Sequence, residues 1–211
     1  MLLKVIKNFL KEEKAVQLAN DIQDMPENWW LYALKSESDA VYFANSLRHI
    51  QNKSEACFKV DKDFSKSNSF CYKFKRTTDH YDSCSCFECE LKKELDIKNC
   101  ILYEMGWSSC TIQESFISAY GSGDYLSTHT DKGNGSVAFV LNLTQNWRPE
   151  FGGMLHVLNT DGSYTAIPPD FNSLILMEVD ETNGTPHFVS EVSKYVTSNR
   201  IAYSGWYAND S

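Results

Sequence analysis

No apolar run in this chain approaches the ~18 residues that a membrane-spanning helix requires. The opening MLLKVIKNFLKEEKA carries Lys4, Lys7, Lys11, Glu12 and Glu13, so the apolar core of a secretion signal is missing too. A basic excess is also absent. The chain has 20 Lys and Arg against 28 Asp and Glu, a formal net charge of −8. That argues against a nucleic-acid backbone as the main partner, because phosphate binding relies on clustered cations. The short run Lys73-Phe74-Lys75-Arg76 is the local exception. Seven cysteines cannot all pair with one another, so a disulfide framework is not expected. These absences predict a cytoplasmic protein with reduced thiols and no membrane partner. Repeats, low-complexity tracts and linkers are missing as well, and 211 residues suffice for one domain with a substantial core. A single domain spanning 1–211 is therefore expected.

What is present divides into two textures. Residues 3–25 read as a short opening strand followed by a helix, with Leu10, Ala15, Leu18, Ala19 and Ile22 near helical spacing and Met25-Pro26 closing it. The tandem Trp29-Trp30 that follows is expected in the core, with a cleft wall as the alternative. Residues 36–52 read as a second polar-faced helix or a loop, and 88–106 as a further helix ended by Gly106. Between them Ser69–Arg76 alternates as a strand does, either at the sheet edge or lining the mouth of a site with Tyr72 or Arg76 toward substrate. From Thr111 onward short β-branched and apolar runs alternate with Gly, Asn, Pro and Asp turns. Strands are expected at 111–119, 137–143, 154–158, 164–167, 173–179, 187–192 and 200–207, which predicts an antiparallel sandwich or barrel. The fold class is thus mainly β with a helical N-terminal layer, residues 1–110 serving as support and substrate-side segment.

Two clusters carry chemistry. His80, Cys84, Cys86 and Cys89 lie within ten residues, and Cys86-x₂-Cys89 has the spacing of one zinc knuckle. A second knuckle is missing, so a compact zinc site stands beside a loop of free thiols. The other cluster is Tyr120–Asp131, YGSGDYLSTHTD, which ends in His129-Thr130-Asp131, with His187 far downstream. Two His and one carboxylate are the ligand set of the facial triad that holds ferrous iron and leaves coordination positions open. Residues two apart on a strand point the same way, so His129 and Asp131 can reach one metal. His156, in Met154-Leu-His-Val-Leu, is expected as a non-ligand strand residue. Asn142 is open between core satisfaction and donation to a bound group.

The order Tyr120, 8 residues, His129-x-Asp131, 55 residues, His187, 12 residues, Arg200, 5 residues, Trp206 resembles the iron(II)- and 2-oxoglutarate-dependent oxygenases, in their prolyl-4-hydroxylase-like branch. The resemblance covers roughly residues 112–208. It is carried by GDYLSTHTD, by AFVLNLT with Trp147-Arg-Pro-Glu-Phe-Gly-Gly153, by Pro168-Pro-Asp-Phe-Asn-Ser-Leu-Ile-Leu, and by HFVSEVS and NRIAYSGWY. It implies a double-stranded β-helix (a cupin-like jelly roll), with iron(II) on His129, Asp131 and His187. It implies 2-oxoglutarate and dioxygen as cosubstrates, with ascorbate as a supporting reductant. Arg200 would hold the far carboxylate of 2-oxoglutarate, a task suited to a planar, permanently charged fork of donors. Tyr120 would help to bind the cosubstrate, and Trp206 would stand at the substrate rim with Tyr72 and Arg76. Relatives often carry a hydroxyl two residues after that Arg; here stands Ala202, for which Tyr203, Ser204 or Tyr120 could compensate. The activity implied is hydroxylation of an amino-acid side chain, with a prolyl residue of a protein or peptide ahead of a free amino acid. A non-catalytic metal-holding jelly roll is the rival of another class, and a nucleobase demethylase runs against the negative charge.

Overall fold

Ala15, Leu18, Ala19 and Ile22 fall at i, i+3, i+4 and i+7, so one stripe of a helix can bury all four. The computed structural model describes residues 2–36, 40–44 (backbone), 57, 59–65, 70–78, 95–179 and 184–210. In it α1 (Glu12–Gln23) buries those four residues. The opening strand β1 (Leu3–Lys7) precedes it, as the sequence predicts. Trp30 is buried in the core that α1 covers, while Trp29 is 47% exposed, so the tandem divides between core and surface. The segment read as a helix or loop contains instead a strand, β3 (Ala40–Ala44), antiparallel to β2 (Leu31–Lys35). Its Ala-Val-Tyr-Phe-Ala run satisfies its backbone along a neighbour that no local periodicity reveals. A further helix, α2 (Ile97–Met105), stops at Gly106 as expected and buries Ile97 and Ile101.

The remaining strands are β4 (Tyr72–Arg76), β5 (Cys110–Tyr120), β6 (Tyr125–His129), β7 (Val137–Asn142), β8 (Leu155–Leu158), β9 (Tyr164–Ile167), β10 (Ser173–Glu178), β11 (His187–Val189) and β12 (Arg200–Asn209). They pair antiparallel in the order β1-β10-β7-β12-β5-β4-β6-β11-β8-β9, with β2 and β3 joined to β4. The strand predicted at the sheet edge or site mouth, 69–76, is no edge. Here β4 pairs with β2 on one side and with both β5 and β6 on the other. It is the bridge between the two halves of the sheet, and period-2 alternation cannot tell an edge from such a bridge.

The first half of the sheet is apolar on both faces, and the alternation sorts the faces. On β10, Leu174 and Leu176 face the helical layer, while Ile175 and Met177 belong to the second core. On β7, Phe139 and Leu141 pack with the helices, and Ala138 packs in the second core. The sheet curls so that β6, β8 and β11 close over that second face, enclosing a cavity of about 260 Å³ lined from both halves. This is the jelly-roll architecture, whose mouth is where a small group can sit. Among the described residues no helix is long and apolar enough to cross a membrane.

Candidate active site

β6 and β11 run antiparallel with His129 and His187 as cross-strand partners. Paired side chains on one face of a sheet lie close together, and the two imidazole rings are 4.2 Å apart between centroids. Asp131 does not belong to the strand, which ends at His129. The carboxylate is brought in by the turn that follows, where Asn134 N–H donates to the Asp131 carbonyl at 3.0 Å. The pleat therefore places His129, and a turn places its sequence neighbour two residues on. Asp131 Oδ1 lies 3.3 Å from His129 Nε2 and Oδ2 lies 3.4 Å from His187 Nε2. The three potential ligand atoms are within 4.8 Å of one another.

The tautomers suit a cation. His129 Nδ1 lies 3.0 Å from the Ser127 carbonyl, and His187 Nδ1 lies 2.7 Å from that of Thr185. A carbonyl can only accept, so each Nδ1 carries the proton and each Nε2 turns a lone pair toward Asp131. Burial, reinforced by the neighbouring His129, pushes the His187 pKa down despite the opposing pull of Asp131, so this imidazole is held neutral. Burial alone would raise the Asp131 pKa, but the polar influence of the neighbouring His129 and His187 outweighs it, and the net shift is downward. Two imidazoles and a carboxylate on one wall form a donor set for a divalent transition metal.

The opposite end of the cavity holds a cation. Arg200 opens β12 directly across from Tyr120 on β5 and is 3% exposed. Its guanidinium lies over the Tyr120 ring at 5.2 Å. Nη2 donates to Asn142 Oδ1 at 3.2 Å, whereas Nε has no hydrogen-bond partner. Among the described residues no carboxylate forms an ion pair with Arg200. A buried cation with donors unspent and no counter-ion is poised for an anionic ligand. Gly153, at φ +65°, makes room for it, since a Cβ there would stand 3.1 Å from Arg200 Cδ.

An aromatic file runs between the two ends. Phe70 stacks on His129 (5.1 Å), followed by Tyr72 (5.6 Å), Phe74 (5.5 Å) and Tyr120 (4.6 Å), over which Arg200 lies. Tyr72, Phe74 and Arg76 are on the cavity face of β4. The Arg76 guanidinium covers the Phe116 ring at 3.6 Å, and Phe116 packs on Trp206 at 5.9 Å. Trp206 lines the cavity beside Asp131, so the residues predicted for the substrate rim are all part of its wall.

The compensation expected for Ala202 is not made by Tyr203. Its hydroxyl donates to Ser115 Oγ at 3.1 Å, and its ring packs in the core under the helices. Alternation forces this, since Arg200, Ala202, Ser204 and Trp206 share one face of β12 and Tyr203 the other. Ser204 does line the cavity. His156 is on β8, stacked on Phe188 at 4.4 Å and away from the cluster, as predicted for a non-ligand. His80, Cys84, Cys86 and Cys89 lie outside the described residues. Sequence reasoning missed Phe116 as a cavity wall, although its place in the 111–119 alternation, in phase with Ser118 and Tyr120, carried that signal.

Residues 115–208, which contain every wall residue named above except Phe70, Tyr72, Phe74 and Arg76, match the sequence profile of the 2OG-Fe(II) oxygenase superfamily. The matched segment, a little under half of the chain, is thus similar to the 2OG-Fe(II) oxygenases. The chain is also similar to mouse (Mus musculus) prolyl 3-hydroxylase OGFOD1, at 33% identity over 99 residues. The match covers 44% of this chain and 18% of that protein, so this chain spans less than a fifth of the curated relative's length. Among solved structures, a Pseudomonas putida prolyl-4-hydroxylase superposes with a TM-score of 0.60 at 14% identity, covering 99% of this chain and 93% of that one. A prolyl hydroxylase from Trichoplax adhaerens, in complex with a hypoxia inducible factor oxygen degradation domain peptide fragment, gives 0.61 at 18%, covering 99% and 84%. These likenesses extend the shared jelly roll over the whole chain. The match implies iron(II), 2-oxoglutarate and dioxygen, and the His-Asp-His donor set and the unspent Arg200 fit them.

Proposed function

We propose that the chain is a 2-oxoglutarate-dependent hydroxylase whose iron(II) is held by His129, Asp131 and His187. In this reading Arg200 holds the far carboxylate of 2-oxoglutarate, with Tyr120 beneath it. The observation that carries the reading is a cluster of three potential ligands at one end of a walled cavity and, at the other, a buried cation with no counter-ion among the described residues. When bound, iron and 2-oxoglutarate would let dioxygen serve as the oxidant, one of its oxygen atoms converting a C–H bond into C–OH and the other entering succinate as 2-oxoglutarate loses carbon dioxide. The chain's own residues do the rest. The two Nδ1–H bonds keep both Nε2 lone pairs aimed inward, and Asp131 contributes a negative charge without titrating near neutrality. Arg200 forks a carboxylate in two bonds. Phe70, Phe74 and Phe116 keep water from the reacting carbon. Tyr72, Arg76 and Trp206 line the substrate side.

The substrate is a prolyl residue of a peptide or protein, a reading supported by what the mouse, Pseudomonas and Trichoplax proteins are described as acting on. The test begins under nitrogen with ferrous iron and 2-oxoglutarate added to purified protein. A weak visible charge-transfer band that requires both, and is lost in Asp131→Ala, is expected. Succinate release in air should then be faster with proline-containing peptides than with free proline. No band, or equal stimulation by free amino acids alone, would overturn the metal site or the peptide preference respectively.

A further inference from the structure

The hydrogen bonds behind Arg200 have a direction that their donors fix. Ser173 Oγ spends its one proton on the Asp170 carbonyl at 2.6 Å, so toward its other neighbour it can only accept. That neighbour is Asn142 Nδ2 at 3.1 Å. The amide is thereby turned so that its oxygen, and not its nitrogen, faces Arg200 Nη2 at 3.2 Å. Asn142 and Ser173 are both 0% exposed and are cross-strand partners on β7 and β10, while Asn142 also pairs with Ala202 on β12. Nearby hydroxyls are engaged with backbone. Ser118 Oγ donates to the Ala202 carbonyl, and Thr144 Oγ1 accepts from Ile201 N–H. Asn142 Oδ1 is therefore the side-chain acceptor that aims the guanidinium, and it does so without a charge.

We propose that Asn142, oriented by Ser173, is the positioning residue that sets this chain's affinity for its dicarboxylate cosubstrate. It fixes Arg200 in place while leaving the cation's charge uncancelled for the incoming carboxylate. The inference rests on the reading of Arg200 as the holder of that carboxylate. A carboxylate at position 142 would become an internal counter-ion in a water-poor site and compete with the ligand. An amide that Ser173 no longer orients could turn its NH₂ toward the guanidinium, where two donors oppose one another.

Titration calorimetry of 2-oxoglutarate into the Mn(II)-loaded full chain tests this, with thermal unfolding measured in parallel. Asn142→Asp should weaken binding by at least about tenfold while the melting temperature stays within about 5 °C of the wild type, since the new buried ion pair with Arg200 offsets the contact to Ser173 that a carboxylate cannot donate. Damage to packing alone would lower both together. Ser173→Ala, whose lost hydroxyl touches neither Arg200 nor the cavity, should weaken binding by roughly threefold or more, in the range of one lost hydrogen bond. Wild-type affinity in Asn142→Asp overturns the proposal, and if that variant does not fold, wild-type affinity in Ser173→Ala overturns it. Arg200→Ala separates the two levels. If it binds 2-oxoglutarate as the wild type does, the reading of Arg200 falls and the relay falls with it. If it does not bind while Asn142→Asp and Ser173→Ala bind normally, the relay alone is wrong.

Discussion

Gly184 sits at φ +69° where the chain turns into Thr185-Pro186-His187, and a Cβ there would stand 2.6 Å from both Cβ and Cγ2 of Thr130. Thr130 lies between His129 and Asp131, so this contact presses the start of β11 against the loop that carries the carboxylate. Gly184→Ala should push that loop away, raising the Mn(II) dissociation constant by roughly tenfold and lowering stability by about 1–3 kcal/mol from the strained φ and the clash. Gly162→Ala is the control. Gly162 has φ +85° but nothing within 4 Å, so strain alone should appear in the melt and metal titration should be unchanged. The sequence exposed the candidate ligands at this scale because residue type and order, H-x-D followed by a His and an Arg, can be read without the fold. It could not expose Gly184 as their spacer, because the residue it touches is 54 positions away in the chain.

At the scale of elements, β4 carries the aromatic file and joins the two halves of the sheet through few pairs, Lys75 and Arg76 to β5 and Tyr72 and Lys73 to β6. A polar anchor reinforces the site strand. Asp124, 3% exposed, accepts the Tyr32 hydroxyl from β2 and Gly121 N–H at 2.8 Å, closing the turn that feeds β6. Burial and the Asp124 charge push the Tyr32 phenol far above its usual range, so the hydroxyl remains a donor at any physiological pH. Asp124→Ala strands both donors and should cost roughly 2–4 kcal/mol in denaturant unfolding, against about 1–2 kcal/mol for Tyr32→Phe, which removes one donor. Equal costs would show that the Gly121 contact contributes nothing. The pattern in 69–76 declared a strand and its cavity-facing residues, but not its neighbours: pairing to β2, β5 and β6 is decided by which chains arrive beside it. For the same reason the sequence of the strand at 40–44 does not distinguish it from a helix or loop.

For the whole molecule, the first half of the sheet separates two cores, one under α1 and α2 and one around the cavity. Adjacent residues of β10 therefore report on different things. Leu174→Ala, on the helical side, should cost about 2–5 kcal/mol and leave 2-oxoglutarate affinity within about twofold, because the cavity wall is untouched. Ile175→Ala should cost a similar amount but also change ligand affinity, since its side chain lines the cavity. If both variants bind 2-oxoglutarate alike, the two faces are not energetically separate.

The residue string by itself determined the strand-rich second half, the helical stripe of α1, the three candidate ligands and Arg200, since each is a local pattern of period, turn chemistry or residue type. The tertiary structure decided what those residues do to one another. It put Asp131 in place by a turn, set β4 inside the sheet, sent Tyr203 to the far core and left Arg200 buried with a neutral amide for company. All of these depend on strand pairing and curl, which bring together residues tens of positions apart, and no local pattern records which strands will meet.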